Sequence, residues 1–482
     1  MSDIIQSALN RYQAYLSAED FSKLIEVSSQ DAPLAIRANL LKNANPQQIL
    51  LEWQNKYGWR TDSVPFWQYA VQILQAEIAP SQTIEHQFGY YYIQDAASTL
   101  PVALFDPIDK NHLVLDMAAS PGGKTTQLID RSLDRAFIIA NDSSASRLSA
   151  LRVVSQNWGM ANGMISNYAG EKIGDWFPNT FDRILLDAPC SMESLRVSKS
   201  HPYRDISISE RERLSSRQLE LLISALKACK VGGEIVYSTC TMAPEENESV
   251  INALLSRYPN AVTISRIENQ NPNSQGLSHF EEQIYHPDIR HAMRVWPHLY
   301  ATNGFFACKL QKTDEIETAG ISPPKRAFSQ TGLSLLKSDD LNSVLEELST
   351  RFGFESKLIE DFEIYQRDNQ LLIIPKAYLE HFPTLPFNAL GLPLGKCIKT
   401  AFEPSFEFVM RFGMTFQRNV WHIPADLQIP WLQGRDLHSV NLSPNCSYGI
   451  VAVKTEDNIL IGAGKWSAQR LRNLLPHRYL IH

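Results

Sequence analysis

Two periodicities alternate through the middle of the chain. Short apolar runs at Leu113–Asp116, Ala136–Asn141, Phe181–Asp187 and Glu234–Thr239 read as buried strands. Between them, apolar positions recur at helical spacing from Lys124, from Ala145 to Trp158, from Ser209 to Lys230 and from Pro244 to Arg257. A weaker strand at Gly163–Ser166, with Val262–Ile267 and Gly304–Leu310, completes the set. Strand and helix in alternation predict an α/β domain: a mainly parallel sheet, helices on both faces, and reactive groups at the strands' C-terminal ends.

The flanks follow other patterns. Residues 1–85 mix helical stretches (Ile4–Leu16, Pro46–Tyr57, Phe66–Leu74) with a strand-like piece at Ala35–Leu41, which predicts a small N-terminal α/β domain. Basic and aromatic residues interleave there (Arg37, Lys42, Trp53, Lys56, Tyr57, Trp59, Arg60), a set able either to clamp single-stranded nucleic acid or to fill a core. An aromatic strand and short helix at His86–Ser98 open the main domain, residues 86–312. Polar, proline-containing residues 313–330 read as a linker. Residues 331–389, with a charged helix at Asp339–Phe352 and a strand pair near Glu363–Ile374, read as a small α+β module. Residues 390–482 read as a β-rich domain whose end gathers Lys465, Trp466, Arg470, Arg472, His477 and Arg478.

Composition narrows the class. The 482 residues exceed one ordinary core, 44% hydrophobic and 20% charged is ordinary for a globular protein, and a formal charge of −7 excludes indiscriminate nucleic-acid binding while leaving room for a local basic face. Without a long apolar run or a basic-then-apolar start, no membrane span or signal peptide is expected, and a cytoplasmic location follows. The six cysteines show no zinc-like spacing, so no metal is expected and each thiol is judged singly.

The first strand runs into a turn of small residues, Ala118, Ala119, Ser120, Pro121, Gly122 and Gly123, and then a helix at Lys124. Such a turn at a strand's end lets backbone N–H groups approach a nucleotide-like ligand closely. The second strand ends at Asp142, where a carboxylate can bond a ribose diol. The turn lacks the spacing of a dinucleotide site, so a smaller adenosyl ligand is expected. Phe181–Asp187 delivers Asp187 and Cys190 to the same edge, and Glu234–Thr239 delivers Cys240. A buried structural role is the default for Cys229, Cys308, Cys397 and Cys446. It fits Cys190 and Cys240 less well, because both lie at strand ends in turns of small and polar residues.

The segments GYYYIQDAAS (Gly89–Ser98), LDMAASPGGKTTQL (Leu115–Leu128), LLDAPCS (Leu185–Ser191), YSTCTMAPEENE (Tyr237–Glu248), and RVWPH with TNGFF (Arg294–Phe306) resemble the NOL1/NOP2/Sun family of RNA 5-methylcytosine methyltransferases. The overall layout is similar to bacterial members acting on small-subunit ribosomal RNA, with a PUA-like RNA-binding domain at the C-terminus. The resemblance implies a Rossmann-like methyltransferase domain, S-adenosylmethionine as methyl donor, an RNA substrate and a monomer. It implies donor contacts from Ala118, Ala119, Ser120, Pro121, Gly122, Gly123, Lys124, Asp142 and Asp187. It further implies that Cys240 is the nucleophile and that Cys190 assists product release.

The chemistry explains these residue types. Cytosine C5 is too weak a nucleophile until a thiolate adds to C6, and covalent catalysis divides that difficult step. Asp187 is suited to a proton at N3 and Lys124 to orienting the base. Other readings are a tRNA cytosine-C5 methyltransferase, a small-molecule methyltransferase, which would leave the paired cysteines unexplained, and a non-catalytic RNA-binding assembly factor. The chain departs from the family where Met192 and Ser194 replace glycines after Cys190, and where Ala169 and Asn303 replace acids.

Overall fold

The computed structural model describes residues 3–196, 206–268, 270–398, 401–438, 446–467 and 469–481. Its centre is a nine-stranded sheet. We number its strands β1 (Leu113–Asp116), β2 (Phe137–Asn141), β3 (Gly163–Ser166), β4 (Phe181–Asp187), β5 (Cys229–Thr239), β6 (Val262–Ile264), β7 (Met293–Val295), β8 (Phe305–Lys312) and β9 (Ala389–Leu390). The spatial order is β6-β8-β5-β4-β1-β2-β3-β9, with β7 paired to β8. Strands β1 to β5 are mutually parallel, and the later additions are antiparallel. The chain leaves β1 toward β2 on one side and returns to β4 on the other. The crevice beyond β1 is therefore the switch point at which an open α/β sheet binds its ligand.

Side-chain alternation explains why both faces are covered. Leu113, Leu115, Ile184, Leu186, Ile235 and Tyr237 share one core with Leu221, Leu222 and Ala225 of the helix Ile208–Ala228. Their neighbours Val114, Leu185 and Val236 point oppositely, into a core with Leu128, Ile129 and Leu151. A strand apolar at every position can be buried only between two layers of helices.

The N-terminal sheet has the order Arg60–Ser63, Ala70–Gln75, Leu34–Ala38, Tyr91–Asp95, so it takes one strand from beyond residue 85. The helix expected at Phe66–Leu74 is instead the strand Ala70–Gln75: pairing on both sides, with Leu34–Arg37 and Arg60–Ser63, outweighs a weak helical pattern. Most of the interleaved basic and aromatic set turns inward. Trp53 and Trp59 pack with Tyr91, Lys42 donates to the Phe88 and Asn157 carbonyls, and Lys56 and Tyr57 bond Glu85. Arg37 is fully buried and pairs with Asp130, and it also donates to Thr126 (2.7 Å) and the Gly123 carbonyl (3.1 Å). These contacts bolt the N-terminal sheet to the helix Gly123–Ser132, which begins at the small-residue turn.

Residues 313–327 form no regular element. A five-stranded sheet follows (Ser334–Leu335, Phe362–Arg367, Gln370–Pro375, Leu392–Ile398, Ala401–Pro404), continuous across residue 390. A second has the order Val420–His422, Gly449–Lys454, Leu460–Ser467, Arg470–Asn473, Leu437–His438. Their buried residues form one cluster with Trp53, Phe88 and Tyr91 of the N-terminal region, so the two ends of the chain share a core.

Candidate active site

Backbone pairing shapes the turn after β1. Met117 N–H donates to the Leu185 carbonyl (2.9 Å), Ala119 N–H to the Asn141 carbonyl (2.7 Å), and Ser120 N–H to an Asp142 oxygen (3.0 Å). Gly122 has φ +117°, and a Cβ there would meet Val154 at 2.9 Å, so only glycine fits. A cleft of about 250 Å³ opens above it, bounded by Tyr92, Gln94, Asp116, Ala118 to Pro121, Lys124 and Asp187. Gly122 and Asp142 are buried and do not line the cleft. Asp142 accepts from Ser120 N–H and Ser144 N–H and so supports the turn, with one lone pair of each oxygen already engaged.

Two buried atoms bordering the cleft, Asp116 Oδ1 and Gln94 Nε2, have no hydrogen-bond partner among the described residues. Asp116 Oδ2 accepts from Thr125 Oγ1 at 2.6 Å. Burial, together with Asp187 and Asp142 nearby, pushes the Asp116 carboxyl up to about 7. An acceptor, a donor, a floor of small residues and a cation-compatible carboxyl suit an adenosyl sulfonium donor.

The reacting groups stand at the ends of β4 and β5. Asp187 accepts from Lys124 Nζ at 2.7 Å and from Ser238 Oγ at 2.8 Å. Burial works against the Lys124 charge, but Asp187, Cys240 and Asp116 outweigh it and hold the ammonium above its ordinary pKa. Its Nζ also lies 5.3 Å from the centroid of Phe305, in the TNGFF stretch. Cys190 and Cys240, both free thiols, approach to 3.1 Å between sulfurs. Thus Lys124, Asp187, Cys190 and Cys240 gather at one edge, as the strand ends predict. The hydrogen bond with Cys240, then burial and Glu246, raise the Cys190 thiol well above its usual range. Burial alone accounts for most of the rise at Cys229, to about 12, and at Cys308, which fits structural thiols.

Sequence reasoning missed the support around the two sulfurs. Ser238 orients Asp187. Glu193, buried in the loop after Cys190, pairs with Arg211 (2.9 Å) and with Arg11 from the N-terminal region (3.4 Å). Arg294 clamps Glu248 through two bonds of 2.6 Å and donates to the Met242 carbonyl. A cluster of charged residues around TMAPEENE was the available signal, but their partners are distant in the chain. Asn303 donates twice to Asp95, where an acid would face another carboxylate.

The model of the family described as 16S rRNA methyltransferase RsmB/F matches residues 102–311. The ribosomal RNA small subunit methyltransferase F of Aeromonas salmonicida is 30% identical over 470 residues, covering 96% of this chain and 93% of that protein. The chain belongs to this family. The protein of the same description from Shewanella woodyi is 30% identical over 479 residues, covering 98% and 95%. A crystal structure of a methyltransferase homolog protein from Pyrococcus horikoshii superposes with TM-score 0.54 at 28% identity, covering 65% of this chain and all of that one. NSun6 from the same organism, solved with SFG, has the same TM-score at 19% identity, covering 65% and 99%, and shares the fold. The chain is accordingly a methyltransferase, and its methyl donor is S-adenosylmethionine.

Among the described residues no helix is long and apolar enough to cross a membrane, and no group of three or more His, Cys, Asp or Glu side chains is placed to hold a metal ion. At the C-terminus, Lys465, Arg470 and Arg472 line one recess together with Asp436. Lys465 and Arg472 also line a groove of about 580 Å³ with Lys396 and Glu403 between the two small sheets. The last two basic residues lie apart from it: Arg478 bonds Gln156 beside the main sheet, and His477 shares its short turn. Trp466 is half-buried against the core.

Proposed function

We propose that the protein methylates C5 of a cytosine in small-subunit ribosomal RNA through a covalent adduct of Cys240. The observation that carries this reading is the pair of sulfurs 3.1 Å apart beside the Lys124–Asp187 pair, at the edge that also holds the donor cleft. When bound, S-adenosylmethionine supplies an electrophilic methyl group. The Cys240 thiolate adds to C6, and the C5=C6 electrons move toward C5 and N3. Asp187 and Lys124 hold the proton and the charge at the N3 side of the ring. After C5 is methylated, its proton passes to a base, the C6–S bond breaks, and Cys240 leaves as the thiolate. Cys190, in contact with Cys240, assists that last step. Ala118 to Lys124 cradle the donor, with Asp142 shaping the turn and Asp187 bordering both ligands.

RNA would also engage the C-terminal region, which we read as a PUA-like module in a cytoplasmic, monomeric enzyme. Lys396, Lys465 and Arg472 supply phosphate contacts along one groove. The test pairs two variants with labelled donor and ribosomal RNA. Cys240→Ala should lose methyl transfer while keeping donor binding. Cys190→Ala should accumulate a protein–RNA complex that survives denaturing electrophoresis. The roles are reversed if the complex forms with Cys240→Ala instead. Bisulfite mapping of RNA from cells with and without the gene identifies the cytosine, and a signal confined to tRNA would overturn the ribosomal assignment. No methyl transfer to any RNA would favour a non-catalytic assembly factor.

A further inference from the structure

Two thiols in contact cannot both ionise readily, because the second negative charge would form beside the first; a single proton serves the pair, and its surroundings decide which sulfur keeps it. The surroundings here are unequal. Lys124, from the helix after the turn, favours negative charge on Cys240. Glu246 stands on the Cys190 side, in the short turn Pro244–Glu246. Its Oε2 accepts from Ser191 N–H (3.0 Å) and from Gln218 Nε2 (2.8 Å), and the same Gln218 nitrogen donates to the Pro189 carbonyl (3.0 Å). Both chain neighbours of Cys190 are thus gripped by the Glu246–Gln218 pair.

What sets Glu246 apart is that no cation pairs with it among the described residues. Glu193 has Arg11 and Arg211, Glu245 has Arg11, and Glu248 has Arg294. Glu246 is fully buried, has no ion pair among the described residues, and leaves Oε1 without a partner. A buried carboxylate with no cation is costly, and such groups persist where their charge is used.

Resting on the methyl-transfer reading, we propose that Glu246 is a positioning residue that keeps the shared proton on Cys190, so that Cys240 is the thiolate and the attacking sulfur. Lys124 acts on Cys240, and Glu246 and Tyr237, on the strand before Cys240, act on Cys190; behind them stand Asp187, paired with Lys124, and Glu193, beside Glu246. Of the acids among them, Glu193 is paired with two arginines and Asp187 with Lys124, while burial and Glu193 hold the Glu246 carboxyl above its usual range, so its influence on Cys190 grows as the pH rises. The raised Cys190 thiol agrees with this assignment.

The test reads each sulfur separately and needs neither RNA nor donor. Full-length protein is alkylated with iodoacetamide from pH 6 to 10, and modification at each cysteine is followed by peptide mass spectrometry. In the wild type Cys240 should react first. Glu246→Gln keeps an acceptor for Ser191 but removes the charge, so the Cys190 midpoint should fall by about one pH unit and the Cys240 preference about tenfold. Glu246→Asp, which restores the carboxylate, should recover most of that preference. An unchanged Cys190 profile in folded Glu246→Gln protein overturns the proposal, and so does a Glu246→Asp protein that behaves like Glu246→Gln.

A second measurement avoids Glu246 variants altogether. Thiolate absorbance should show Cys190 in Cys240→Ser protein ionising at higher pH than Cys240 in Cys190→Ser protein. The reverse order overturns the proposal. An enzyme with polarised cysteines that fails to methylate RNA would refute the functional reading alone.

Discussion

Asp116 makes the stability of the protein depend on pH in a way that one substitution isolates. Its carboxyl is buried at the end of β1, with one oxygen bonded to Thr125 and the other without a partner among the described residues, and burial raises it from 3.8 to about 7. The folded state therefore holds this proton more tightly than the unfolded state. Stability from this group is fully present below about pH 4, declines as pH rises, and stops declining above about pH 7. Roughly three pH units at about 1.4 kcal/mol each correspond to about 4 kcal/mol lost across that window. Asp116→Asn keeps the shape and the acceptor for Thr125 but cannot ionise. It should melt close to the wild type at pH 4 and about 4 kcal/mol more stably at pH 8, on the order of 8 °C for a domain of this size. Asp130, also raised to about 7, is present in both proteins and cancels from the difference. Differential scanning calorimetry at half-unit pH steps measures the gap. Parallel curves from pH 4 to 8 would refute the argument that burial, only partly offset by Lys124, governs Asp116.

Arg37→Met leaves Asp130 with only the Leu40 N–H and the Trp158 indole as donors and should cost about 3–5 kcal/mol; Arg37→Met with Asp130→Asn should recover much of it, as read by urea denaturation. Met192 holds φ +63° while half its surface is exposed, so Met192→Gly should cost little or raise stability by up to about 1 kcal/mol, whereas Met192→Val should lower it. Lys465→Glu with Arg472→Glu should weaken RNA binding and flatten its salt dependence by about 0.7–0.9 in log–log slope for every phosphate left without its cation, with donor affinity unchanged. Filter binding across a salt series checks this, and a retained slope would assign those cations to structure.

Local pattern was enough for the strands of the sheet, the small-residue turn and the delivery of Asp187, Cys190 and Cys240 to strand ends, because period and turn chemistry act between near neighbours. Family membership was legible for the same reason, in motifs carried by contiguous residues. What needed the tertiary structure was every relation across distance. Seen in sequence, Arg37, Trp53 and Trp59 suit an RNA clamp as well as a core; the fold buries them, because sheet pairing and the Arg37–Asp130 contact enclose that face. The C-terminal basic run looks like one cluster, yet while alternation along strand Arg470–Asn473 keeps Arg470 and Arg472 in one recess with Lys465, the turn after it carries His477 and Arg478 to another surface. Sequence could bring Cys190 and Cys240 to one edge but not to 3.1 Å, nor say which faces Lys124 and which faces Glu246. Those distances depend on the register between β4 and β5 and on the docking of the Pro244–Glu246 turn, which arise from packing between segments some fifty residues apart.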